Sequence, residues 1–313
     1  MTTPTRHYII ACGGTGGHLA PGIALAEGLV ARSYTVQLLV SRKTIDSKIL
    51  EKYKGLDAVA VPAAPFTLSP AGFCRFAWQQ ASGLWFCIGL VRRTRPNAII
   101  GFGGFTTMGI MLAGLLLRVP LIMHEANRVP GRATREFGPF ARRVWVPEGV
   151  DLPMVRPARV RECGLPVRAE FRRKQKAAAM AELGFVPATR TLVVLGGSQG
   201  ASALNDWAAG AVKPLAAAGA QIICVTGPGK TNDRIVTVLS ANNGSTIHSY
   251  RMPFCDRMAE LLSCADLVVT RAGAGTIAEL ARIGVPSILV PYPQAADNHQ
   301  IANARFVEQQ GGG

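Results

Sequence analysis

One local pattern, a short apolar run that breaks into a glycine-rich loop and then a helix, recurs at corresponding places in the two halves of this 313-residue chain. Residues 9–18, IIACGGTGGH, match residues 192–201, LVVLGGSQGA. Residues 97–123 run strand, glycine loop, apolar helix, Val-Pro, strand, and residues 266–290 repeat that order. Strand-length apolar runs at 8–12, 36–40, 98–100, 120–123, 144–146, 191–195, 221–225, 267–270 and 287–290 alternate with helical segments. Such alternation reads as α/β, with parallel sheets and crossover helices. The length suits two domains with separate cores. The expectation is therefore two doubly wound, Rossmann-like parallel-sheet domains facing a cleft, with ligands at the carboxyl ends of the strands. The boundaries read 1–160 and 161–313, with the Pro- and Arg-rich stretch 147–170 as the connection.

The formal net charge of +15 lies wholly in the first half: residues 1–176 hold 25 Lys and Arg against 10 Asp and Glu, and residues 177–313 hold 9 against 9. A one-sided basic domain suits a polyanionic partner, whether nucleic acid, anionic lipid headgroups or a diphosphate-bearing substrate. No motif interleaving aromatic and basic residues speaks for nucleic acid. The seven cysteines are scattered and include no C-x-x-C, which argues for a reducing cytosol rather than a disulfide framework or a zinc site. The N-terminus has no basic segment followed by a long apolar stretch, so no signal peptide is expected, and no run reaches the roughly 18 apolar residues of a membrane span.

The first glycine loop is not a dinucleotide fingerprint, because Leu19 stands where the third glycine of G-x-G-x-x-G should be. Both Gly13–Gly17 and Gly196–Ala201 suit a phosphate cradle at the positive end of a helix, with Ser198 and Gln199 adding side-chain donors. Arg271 stands at a strand end before Ala274-Gly275-Thr276-Ile277-Ala278-Glu279 and suits a diphosphate. Glu279 has two readings: partner of Thr276 in a capping box, or acceptor for two ribose hydroxyls. Thr226-Gly-Pro-Gly-Lys-Thr231 resembles the end of a Walker loop but has Cys224 in place of the leading glycine. No Asp-x-Asp pair occurs, so helix ends and arginines, with no metal and no cofactor, are expected to carry a leaving diphosphate.

His18 opens the first helix, where the dipole disfavours the imidazolium, so a neutral ring can accept a proton from a hydroxyl. It can equally cap the helix or bind a phosphate. Glu125, in His124-Glu125-Ala126-Asn127 after the strand 120–123, is the other candidate base. Residues 73–93 predict a helix carrying Trp78, Trp85, Phe86, Ile88 and Leu90, with Arg75, Arg92, Arg93 and Arg95 at or near its ends. Such a face suits either an anionic bilayer surface or ordinary packing on a sheet.

Together GGTGGH at 13–18, FGGF at 102–105, HEAN at 124–127, GLPVR at 164–168, GGSQGA at 196–201, RAGAGTIAE at 271–279 and DNHQ at 297–300 resemble the MurG family of N-acetylglucosaminyltransferases, in family order and over nearly the whole chain. The resemblance implies a GT-B fold with UDP-GlcNAc held mainly by the second domain and a lipid-linked acceptor by the first. It implies donor contacts from Thr15, Gly16, Gly17, Asn127, Arg168, Ser198, the stretch Ala274 to Glu279, and Gln300, with Cys255 or Phe254 beside the uracil. On that pattern Glu279 takes the ribose hydroxyls and Gln300 those of the sugar. The chain departs from the family at Ala126, commonly Gln, and at Leu165, commonly Asn. It ends at Gly313, where the family usually continues for several tens of residues, so a missing C-terminal tail is expected.

The implied reaction is inverting and metal-independent: GlcNAc passes from UDP-GlcNAc to the muramoyl 4-hydroxyl of lipid I, giving lipid II for peptidoglycan. His18 or Glu125 would act as base, with Arg271, Ser198 and the helix ends stabilising UDP. The resemblance further implies peripheral attachment to the cytoplasmic face of the inner membrane, and partners among cell-wall synthesis and division proteins. Two alternatives stand beside it: a transferase with another lipid acceptor such as diacylglycerol, and a non-catalytic nucleotide-binding protein.

Overall fold

The structure is a computed structural model that describes residues 6–13, 16–41, 49–62, 70–188, 190–197 and 200–312, with the helical backbone alone along 70–79. Thr15, Ser198 and Gln199 lie outside the described residues, as do the side chains of Arg75 and Trp78. The chain divides into two compact units, Met1–Arg168 and Ala169–Gly313.

The first unit is a seven-stranded sheet in the order β3-β2-β1-β4-β5-β6-β7, every neighbour parallel. Its strands are β1 (His7–Ala11), β2 (Thr35–Val40), β3 (Asp57–Ala60), β4 (Ala98–Gly101), β5 (Leu121–His124), β6 (Arg143–Val146) and β7 (Val160–Glu162). The central strands are continuously apolar because both faces are covered. Ile9, Leu39 and Ile99 are buried in one layer, and Ile10, Leu38 and Ile100 in the other. β7 falls inside the stretch 147–170 that reads as a connection in the sequence; its pairing with β6 makes it part of the first sheet.

The helix Pro70–Thr94 is slightly longer than the sequence pattern indicates. Its Cys87, Leu90 and Val91 are buried, with Phe86 and Ile88 packed partly against the same core, whereas Trp85 is 70% exposed. Most of the apolar face therefore meets the sheet, and Trp85, Arg92 and Arg93 are left outward.

The second unit is a six-stranded sheet, β10-β11-β9-β8-β12-β13. Here β8 is Arg190–Leu195, β9 Ala220–Val225, β10 Ile235–Ser240, β11 Thr246–Met252, β12 Leu267–Thr270 and β13 Ser287–Leu289. The sheet is mixed rather than wholly parallel, since β10 pairs antiparallel with β11. An Asn243-Gly244 turn closes that hairpin, with Gly244 at φ +80°.

In each sheet the chain fills one side of its first strand and then the other, with β11 in the second sheet returning inward between β9 and β10. The reversal falls between β1 and β4 in the first sheet and between β8 and β12 in the second. Those pairs carry the repeated glycine loops. Parallel register puts Ala11 beside Gly101 and Leu195 beside Thr270, so the paired loops leave their sheets as neighbours, where open α/β sheets bind ligands.

Candidate functional site

At the first switch point Gly13 is wedged between the end of β2 and the helix that follows β4. A Cβ on Gly13 would lie 2.2 Å from the Ser41 nitrogen, so only glycine fits. From the other side Thr106 Oγ1 donates to the Gly13 carbonyl at 2.8 Å, and Phe102 N–H donates to Ala11 O at 2.9 Å. Gly103 and Gly104 have φ of +98° and +80°, and Gly104 is the N-cap of the helix Phe105–Leu116. That turn lies against His18, which stands in the first turn of the helix Gly16–Val30 with Gly16 and Gly17. The imidazole is thus placed by main chain at the carboxyl ends of β1 and β4.

Glu125 lies just past β5, two strands from β1 and about 10 Å across the sheet. It is 5% exposed, and its carboxylate is used by its own loop. Oε1 accepts from the Asn127 N–H at 2.9 Å and more weakly from Asn127 Nδ2 at 3.4 Å. Oε2 accepts from the Gly131 N–H at 2.8 Å and Thr134 Oγ1 at 2.7 Å. Four donors converge on two oxygens, so the group organises residues 125–134 and fixes Asn127.

The neighbouring His124 is 3% exposed, stacked on Phe102 with centroids 4.9 Å apart and edge-on to Trp145. Burial pushes its pKa down to about 4, so the ring is neutral near pH 7. Arg168, the last residue of the first unit, donates from Nη1 to Tyr53 Oη at 3.2 Å.

At the second switch point Gly200 lies against the loop after β9. A Cβ on Gly200, φ +72°, would lie 2.0 Å from the Thr226 carbonyl oxygen. That carbonyl also accepts from Asn205 Nδ2 at 2.9 Å. Lys230 reaches Ser202, the first residue of the helix Ser202–Ala217, with Nζ donating to Oγ at 2.6 Å. The segment 226–231 is therefore no Walker loop, yet it brings a cation to the helix end beside the glycine loop. Sequence reasoning passed over Lys230; its spacing from the end of β9 was the available signal.

The helix Ala274–Ile283 takes Gly273 as its N-cap, and no cap side chain bonds its first turn. The capping box is thereby contradicted: Thr276 is the third residue of the helix, so Glu279 lies beyond capping reach. The helix Ser202–Ala217, with Ala201 as N-cap, likewise has no side-chain cap. Two helix ends next to each other leave backbone N–H groups for an anion.

Arg271 donates from Nη1 to the carbonyls of Pro291 at 3.1 Å and Val290 at 3.3 Å, and its guanidinium lies over the Tyr292 ring. It ties down the segment after β13. The Tyr292 N–H in turn donates to Gln300 Oε1 at 2.9 Å, which leaves the Gln300 amide nitrogen as the donor end. Asn303, buried on the helix His299–Gln309, donates to the Ala272 carbonyl at 3.1 Å and links that helix to the loop after β12. Cys255 is buried, and burial raises its thiol pKa to about 11, so it offers shape and backbone rather than a thiolate.

Residues 8–146 match the glycosyltransferase family 28 N-terminal domain, and residues 191–313 match the C-terminal domain of the same family. The chain is 54% identical to the UDP-N-acetylglucosamine--N-acetylmuramyl-(pentapeptide) pyrophosphoryl-undecaprenol N-acetylglucosamine transferase of Opitutus terrae, over 98% of this chain and 81% of that protein. It is 36% identical to the protein of the same name from Parasynechococcus marenigrum, over 97% and 81%. Among solved structures, MurG of Acinetobacter baumannii superposes with a TM-score of 0.67 at 25% identity, covering 98% of this chain and 84% of that one.

Proposed function

The chain belongs to glycosyltransferase family 28 and, within it, to the MurG transferases, and from that premise we propose that it transfers GlcNAc from UDP-GlcNAc to the muramoyl 4-hydroxyl of lipid I. The product is lipid II, which feeds peptidoglycan synthesis and so cell shape and division. The observation that carries the reading is the pair of uncapped helix ends at the β8/β12 switch point, an anion site suited to a nucleoside diphosphate.

In this reading the second unit binds the donor. The helix ends, Ser198 and Lys230 face the phosphates and stabilise the charge that grows on UDP as the anomeric C–O bond breaks. Glu279 accepts the ribose hydroxyls, and Gln300, oriented by Tyr292, donates to the sugar. Ala274 to Ala278 supply backbone, Gln199 lies along the donor, and Cys255 lines the uracil; Arg168, which ends the first unit, is the first unit's cation for the same ligand. Arg271 acts by holding Tyr292.

The first unit binds the acceptor. The 4-hydroxyl oxygen attacks C1 from the face opposite UDP, which inverts the centre, and its proton passes to His18. Thr15, Gly16 and Gly17 meet the diphosphate at the first helix end. The saturated hydrogen bonding of Glu125 supports His18, rather than Glu125, as the base, with Glu125 holding Asn127 in position.

We also propose that the first unit docks on the anionic cytoplasmic leaflet. No described helix is long and apolar enough to cross a membrane. A pocket of about 430 Å³ at the amino ends of β5 and β6 is lined by Leu115, Phe140 and the arginines 118, 142, 143 and 159. Phe140 and Leu116 are 58% and 60% exposed. Apolar side chains ringed by arginine suit a phospholipid surface.

The deciding experiment incubates the purified chain with labelled UDP-GlcNAc and either lipid I or diacylglycerol in detergent. Label in lipid II alone is the expected result. Label in a glycolipid would favour the other acceptor, and UDP binding without transfer to either would leave a nucleotide-binding protein.

A further inference from the structure

We propose that β10 is a self-complementary edge through which two copies of this chain pair, extending the second sheet across a two-fold axis. β10 is the outermost strand, bonded to β11 on one side and to no other strand among the described residues. Its sequence, Ile-Val-Thr-Val-Leu-Ser, is rich in β-branched and apolar residues on both faces, which favours strand pairing. Ile235, Val236 and Val238 are 45%, 47% and 55% exposed. Edge strands normally carry a lysine, a proline, a bulge or an inward charge that prevents further pairing, and β10 has none of the charged or proline devices. The adjacent cation does not supply one. Arg234 is turned back onto its own unit, donating to the Leu183 and Gly184 carbonyls and stacking over Phe185 and Tyr250.

The choice of a second copy as occupant comes from symmetry. Antiparallel strands related by a two-fold normal to the sheet place residues of the same face opposite each other, so the axis must lie midway between one residue and its own copy. About Thr237 the strand reads almost identically in both directions. Thr237 then faces Thr237, Val236 faces Val238, and Ile235 faces Leu239. These three pairs join side chains of matching size and polarity, the kind that stabilises neighbouring strands, and Ser240 faces Arg234 at the ends. Leu239 already packs on Ala216, Ala241 and Ile247, so the Ile235–Leu239 pair would extend an existing core layer.

Sedimentation velocity of the full chain up to about 100 µM should reveal a reversible dimer, because weak association is read from its concentration dependence. Val236→Lys with Val238→Lys sets lysines opposite one another and should give a monomer with an unchanged circular dichroism spectrum. Thr237→Cys should form a covalent dimer on mild oxidation, since paired residues bring their Cα atoms within disulfide range. Ser240→Cys and the native chain, with its seven cysteines, should not. A native chain that stays monomeric, a lysine variant that stays dimeric, or a Thr237→Cys chain that does not cross-link would each overturn the proposal. The cross-link remains decisive if the lysine variant fails to fold.

Discussion

Gly103 and His18 touch across the β1/β4 switch point: a Cβ built on Gly103 would stand 3.2 Å from Nε2 of the imidazole. The imidazole proposed as base is therefore set by glycine main chain on a neighbouring strand's loop. Gly104→Ala tests this. At φ +80° an alanine is strained, and its Cβ would lie 2.8 Å from the Gly13 carbonyl oxygen, a main-chain atom that cannot turn aside. Loss of about 1–2 kcal/mol or more is expected, with kcat falling further than the thermal melt explains.

Glu125→Gln separates an organising role from a basic one. The amide keeps one acceptor oxygen but sets its NH2 against one of the two main-chain N–H donors, so stability should fall by about 1–3 kcal/mol. If Glu125 organises the loop, the residual activity keeps the pH–rate profile of the native chain. Loss of the acid limb, the fall in rate as a base takes up its proton at low pH, would instead mark Glu125 as the base.

His124 makes stability pH-dependent. Its folded pKa of about 4 lies below the ordinary 6.5, so between those values the unfolded chain binds the proton and the folded one does not. The contribution is complete above pH 6.5 and is lost as pH falls towards 4, on the order of 3 kcal/mol. Urea unfolding of the native chain and His124→Phe from pH 7 to 4 should differ by that slope.

Lys230→Ala removes the cation that reaches Ser202. Charge-assisted hydrogen bonds contribute roughly 1.5–3 kcal/mol, so Kd for UDP should rise about 10- to 100-fold by calorimetry. The thermal melt without ligand should barely move.

The glycine loops were legible because close approach and positive φ exclude other residues; the matching runs at 9–18 and 192–201 mark the strands β1 and β8 beside which each sheet reverses. The hairpin β10–β11 was overlooked although Asn243-Gly244 signals it, since its apolar run sits where a crossover helix is expected. In the sequence T-x-x-E at 276–279 leaves a capping box and a ribose contact both open, because a capping box is defined by where the helix begins. Gly273 moves that start ahead of Thr276. The saturation of Glu125 could not be read at all, as its donors come from Gly131, Thr134 and main chain brought together only by folding.

The most direct measurement is steady-state GlcNAc transfer to lipid I by His18→Ala. The account expects kcat to fall about 10²- to 10⁴-fold while KM for UDP-GlcNAc changes little, as for loss of a general base. A variant with native kcat and only a raised KM would contradict it and assign His18 to binding.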